Sequence, residues 1–88
     1  IARTCYFAPK EPTFFAACAS LDLRVQRYDE GISAASRCIE LAPEYADGYL
    51  LLGLLYKEKN MKAEAIKNLK KAEELGDKRA AGYLEKIK

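Results

Sequence analysis

Cys5, Cys18, Cys38 and Asp22 are the residues of this 88-residue chain whose types invite a chemical reading. A cysteine nucleophile needs a neighbouring base, or a cation-rich and exposed site, to hold its thiolate. The chain has no histidine. That removes Ser-His and Cys-His pairs and histidine-ligated zinc, because no other side chain titrates unperturbed near neutral pH. The cysteines stand in no CxxC or other metal spacing, and an odd count without close pairs does not read as a disulfide framework. They read instead as small buried hydrophobes, and three unpaired thiols favour a reducing compartment such as the cytoplasm. One aspartate and three cysteines make a poor catalytic set, so neither an enzyme nor a cofactor is expected.

Bulk properties exclude further classes. Fifteen basic residues stand against 13 acidic ones, a net charge of +2, and a dedicated nucleic-acid binder would be clearly basic. The longest apolar run, Tyr49 to Tyr56, falls far short of the roughly 20 residues a membrane span needs. The chain begins at Ile1 rather than Met and carries no signal-peptide pattern; it reads as part of a longer chain. Charge is uneven along it. Residues 1–56 hold 5 basic and 7 acidic groups, and residues 57–88 hold 10 and 6. Lys62, Lys67, Lys70, Lys71, Lys78 and Lys86 are interspersed with Glu64, Glu73, Glu74 and Glu85, the pattern of a solvated face.

The elements that position these residues emerge from an internal repeat. A shift of 34 residues, without a gap, sets Arg3 and Cys5–Pro9 on Arg37 and Ile39–Pro43. It also sets Glu30 and Ile32 on Glu64 and Ile66, and Ala46-x-Gly48-Tyr49-Leu50 on Ala80-x-Gly82-Tyr83-Leu84. In each copy two amphipathic helices must cross closely, so small residues belong where backbones approach: Ala19 and Gly53 on the first helices, Gly31, Cys38, Ala65 and Ala72 on the second. Phe15, Leu21, Ile32 and Leu41, then Tyr49, Leu52, Leu55, Ile66, Leu69 and Leu75, fill the space around them. Pro12 suits a first helical turn and Pro43 stops a helix at Leu41. Asn60 fits a left-handed turn position, Gly76 a C-terminal cap, and Asp77 an N-cap. The rules predict helices over 13–25, 29–41, 46–58, 62–75 and 78–87.

The later copy, with Tyr49-x-x-Leu52-Gly53-x-x-Tyr56 followed by Ala65-x-x-x-Leu69-x-x-Ala72, resembles the tetratricopeptide repeat. Asp77 stands where that pattern has proline. The earlier copy is degenerate, with Asp22 in the place of Tyr56, either paired with Arg24 or Arg27 or facing a ligand. The resemblance implies an all-α fold, a right-handed α-α superhelix of helix-turn-helix repeats. Its units would be a tail of a preceding repeat over 1–11, repeats over 12–45 and 46–79, and a capping helix over 78–88. That last helix carries Ala80, Tyr83, Leu84 and Ile87 as one apolar stripe, as a solenoid cap requires.

The resemblance also implies a protein-interaction module, an adaptor or scaffold whose first helices line a concave groove for a partner peptide or helix. The expected contacts are Ala17, Ser20, Leu23, Arg24, Leu50, Leu51, Leu54 and Lys57. Against this stands the reading that a capping helix or an upstream segment covers the leucines. Some members of the family grip chaperone C-termini with a Lys, Asn and Arg clamp. The corresponding positions here are Ala16, Ser20, Leu51, Ala81 and Glu85, none of them a cation or an amide, so calorimetry should show no tight, charge-dependent binding of such a tail. The alternative function is structural: oligomerisation or stacking on upstream repeats through Tyr6, Phe7, Phe14 or the leucine patch.

Overall fold

The computed structural model describes residues 12–87; the expected tail over 1–11, with Tyr6 and Phe7, lies outside them. Five helices follow in order, α1 (Pro12–Arg24), α2 (Tyr28–Leu41), α3 (Ala46–Glu58), α4 (Lys62–Glu74) and α5 (Lys78–Ile87). Each falls within one residue of its predicted span. α1 packs on α2, α3 on α4, α2 on α3 and α4 on α5, so hairpin follows hairpin in an all-α helical-repeat solenoid. The result is a slab of 36 × 25 × 16 Å.

The helix ends repeat as the sequence does. After α1, the Arg27 N–H donates to the Asp22 carbonyl at 2.8 Å and the Gln26 N–H to the Leu23 carbonyl at 3.3 Å. After α3, thirty-four residues on, Met61 donates to Tyr56 at 2.8 Å and Asn60 to Lys57 at 3.0 Å. After α4, Asp77 donates to Ala72 and Gly76 to Glu73. All three are Schellman closures, which satisfy carbonyls left over at a helix end and require one residue in the left-handed region. Gln26 (φ 65°), Asn60 (φ 63°) and Gly76 (φ 103°) supply it. Glutamine is the unexpected one, since a side chain costs about 1 kcal/mol or more there. Gln26→Gly should therefore raise stability by up to about 1 kcal/mol in chemical denaturation. A loss of stability would show that Gln26 makes a compensating contact.

Three glycines mark where helices touch: Gly48, whose Cβ would stand 2.5 Å from Ile39 Cγ2 on α2, and Gly53 and Gly31. A Cβ on Gly53 would stand 2.6 Å from Leu69 Cγ, and one on Gly31 would stand 2.7 Å from Leu55 Cδ2. Leu55 and Leu69 are fully buried. Gly53 admits α4 to α3, and Gly31 admits α3 to the preceding hairpin. One apolar cluster joins Cys18, Ala19, Ala34, Ala35, Leu52 and Leu55; another joins Leu50, Ala65, Leu69, Ala72, Ala80, Leu84 and Ile87. Burying a leucine contributes about 1.5–3 kcal/mol, so the stack is held by a continuous core that runs through α3.

Gly82 contrasts with them. No atom lies within 4 Å of a Cβ built there, so it carries only the helix-interior cost of glycine. Gly82→Ala should raise the unfolding free energy by about 0.5–1 kcal/mol, and an unchanged or lower Tm would contradict that.

Two expectations about chemistry-bearing residues change. Cys18 is disulfide-bonded, while Cys38 is the free, buried thiol among the described residues. The spacing of the cysteines gave no hint of this. The inference of a reducing compartment from three unpaired thiols loses its ground. Asp22 does not face a ligand groove: it is 7 % exposed and packs beside Gly31, where a Cβ would stand 3.2 Å from its own. No buried side-chain polar atom among the described residues lacks a hydrogen-bond partner.

Candidate functional site

α1 and α3 lie side by side, and the cleft between them holds a cavity of about 300 Å³. α1 lines it with Thr13, Ala16, Ala17 and Ser20, and α3 with Asp47, Leu50 and Leu51. These positions recur every three or four residues, so each set falls on one face of its helix. Tyr45, in the turn before α3, and Arg79, at the start of α5, close one end. The α1 wall is nearly flat because its side chains are small. The floor is leucine, and the end wall is polar.

That end wall is a network. Asp77 caps α5, its Oδ1 accepting the Arg79 backbone N–H at 2.9 Å, and an N-cap of this kind is worth about 1 kcal/mol. The Arg79 guanidinium donates to both Asp77 oxygens, from Nε at 3.0 Å and Nη2 at 2.8 Å, and Nη2 also donates to Asp47 on α3. One arginine thus ties the cap of α5 to the start of α3. Its hydrogen bonds hold the Asp77 carboxyl below the usual carboxylate range. Tyr45 is pushed above the usual phenol value, first by burial and then by the neighbouring Asp47 carboxylate. Behind the floor, burial chiefly, with Asp47, pushes the Cys38 thiol up to about 11.

Cys38 is accordingly inert as a nucleophile at neutral pH. Its ordinary value is 9.0, so between there and about 11 the folded state retains a proton that the unfolded chain releases. Stability should be intact below pH 9 and fall as pH rises through 11. Cys38→Ala should flatten that limb of the denaturation profile, and an unaltered slope would contradict the assignment.

The eight expected contacts separate into groups. Ala17, Ser20, Leu50 and Leu51 meet in the cavity. Leu50 needs correcting as a free contact: it is 4 % exposed and belongs to the core shared with Ala80, Leu84 and Ile87 of α5, so it serves as floor and not as grip. Leu54 is half-buried against the same core, and Leu23 against the α1–α2 core. Arg24 is exposed in the last turn of α1 and does not line the cavity. Lys57 opens instead on a second cavity of about 360 Å³, with Asn60, Lys62, Lys86 and Ile87.

Sequence reasoning missed Arg79. The signal was present in Asp77, read as an N-cap, two residues before an arginine. What the sequence does not show is that α5 lies so close to Asp47. A larger depression of about 440 Å³, at the α1–α2 turn, is lined by Gln26–Glu30 and Lys59. Its charges are already spent on each other, Lys59 with Asp29 and Arg27 with Glu30 at 3.5 Å.

Among the described residues no group of three or more acidic, cysteine or histidine side chains is placed to hold a metal ion, and no helix is long and apolar enough to cross a membrane. Curated proteins give no match to the chain. The family model for the tetratricopeptide repeat matches residues 46–81, which take in α3, α4 and the opening turn of α5. That stretch of the chain is therefore similar to a tetratricopeptide repeat, and its helices build one wall and the polar end of the cavity.

Proposed function

We propose that the chain is an adaptor or scaffold that docks a segment of a partner protein on the face shared by α1, α3 and α5. Tetratricopeptide repeats generally mediate protein–protein interaction. The observation that carries the finer reading is the composition of the cleft. Alanines and a serine on α1 oppose Leu51 on α3, beside the hydrogen-bonding groups of Tyr45, Asp47 and Arg79. An apolar trough with polar groups at one end suits a side chain held by its backbone. The units are read as a repeat over 12–45, a repeat over 46–79 and a cap over 78–88. The test is selection of displayed random peptides on the chain, counter-selected on a Leu51→Asp variant. Binders that prefer the wild-type chain support the reading; equal recovery on both sinks it.

The structural reading rests on a different observation. Leu21, in the last turn of α1, and Val25, the first residue after it, are 48 % and 53 % exposed. Stacking of a second copy or of further repeats there would cover them. Sedimentation of the wild-type chain beside a Leu21→Glu, Val25→Glu variant tests it: a dimer lost in the variant supports self-association, and a monomer in both excludes it.

A further inference from the structure

We infer that the docking face is electrically polar along its length, and that it selects an extended partner segment with a basic residue at one end, an acidic residue at the other and apolar residues between. This rests on the docking reading above.

Asp47 and Lys57 stand near opposite ends of α3, ten residues apart. At 1.5 Å per residue that is about 15 Å. Around Asp47 the ionised groups are Asp77 and Arg79, two carboxylates against one guanidinium. Arg79 is committed to both, so the first end is acidic on balance and offers no free cation to an anionic ligand. Around Lys57 the cavity also takes in Lys62 and Lys86. The carboxylate at hand there is Glu58, 3.7 Å from Lys57, which leaves that end basic on balance. Leu51 and Leu54, both half-buried, lie between the two ends on the same face.

An extended chain advances about 3.3 Å per residue, so 15 Å corresponds to about four or five residues of ligand. The matching segment carries Lys or Arg beside Asp47, Asp or Glu beside Lys57, Lys62 and Lys86, and small or medium apolar side chains over the leucines. The charge pattern fixes the direction in which the segment lies, as complementary potentials do at other interfaces. A uniformly anionic ligand such as an RNA strand would meet the Asp47 end unfavourably.

Peptides selected on the 88-residue chain test this directly. The binders that prefer wild type to Leu51→Asp should share a basic and an acidic residue about four or five positions apart. A spin label on the basic end of such a peptide should broaden resonances of Asp47 and Arg79, and one on the acidic end those of Lys57, Lys62 and Lys86. The Lys62→Glu, Lys86→Glu variant should bind the same peptide about fivefold more weakly, and a peptide whose acidic end is replaced by lysine should recover that loss. Leu51-dependent binders without the charge pattern, or without a fixed direction, would overturn the polarity while leaving the docking face standing. No Leu51-dependent binder at all would overturn both.

Discussion

Leu69→Ala is expected to cost about 3 kcal/mol of folding free energy and to lower the Tm by more than about ten degrees. Leu69 is fully buried and sits over Gly53, so the lost side chain leaves a cavity bounded by two helices that cannot close on it. A partner substitution sharpens the test. In the wild-type background Gly53→Ala should destabilise by about 1 kcal/mol or more, because its methyl would stand 2.6 Å from Leu69 Cγ and 3.2 Å from the Ala65 carbonyl oxygen. The clash outweighs the gain in helix propensity of about 1 kcal/mol. With Leu69→Ala already present, the added methyl enters space and should be neutral or stabilising. Additive losses would mean that the two sites do not share the contact.

The second large effect concerns binding. Leu51→Asp places a carboxylate over the floor of the cleft and should weaken partner binding more than tenfold while circular dichroism stays helical. Leu51 also packs against the α1–α2 core, so part of that loss could come through stability. Ala17→Arg separates the two causes. Ala17 is exposed and lines the same cavity, so its replacement fills the cleft without touching the core. It too should weaken binding more than tenfold, with the Tm unchanged within a few degrees. Unchanged affinity in both variants would remove the site from contention.

How far the sequence anticipated this structure depends on the range of the interaction. The α3–α4 hairpin was legible because its rules are local: small residues at Gly53, Ala65 and Ala72, and turn chemistry at Asn60 and Gly76. Gln26 escaped because the Schellman closure after α1 imposes a left-handed residue whatever stands there. Leu50 and Leu51 are adjacent and alike in sequence. Which one remains accessible is set by where α5 lies across α3, and no local pattern encodes that. Arg79 was overlooked for the same reason: its partner Asp47 lies thirty-two residues away. Asp22, substituted for a tyrosine in the pattern, is buried rather than ligand-facing, so a departure from a repeat motif did not mark a binding residue.

The most direct measurement is an amide chemical-shift map of the 88-residue chain, titrated with a peptide selected for dependence on Leu51. The account predicts shifts that cluster on Ala17, Ser20, Leu51, Leu54 and Arg79, the cleft between α1 and α3 and its polar end. Shifts confined to Leu21, Val25 and their neighbours, with the cleft unmoved, would contradict it and give the C-terminal end of α1 and the turn after it the binding role.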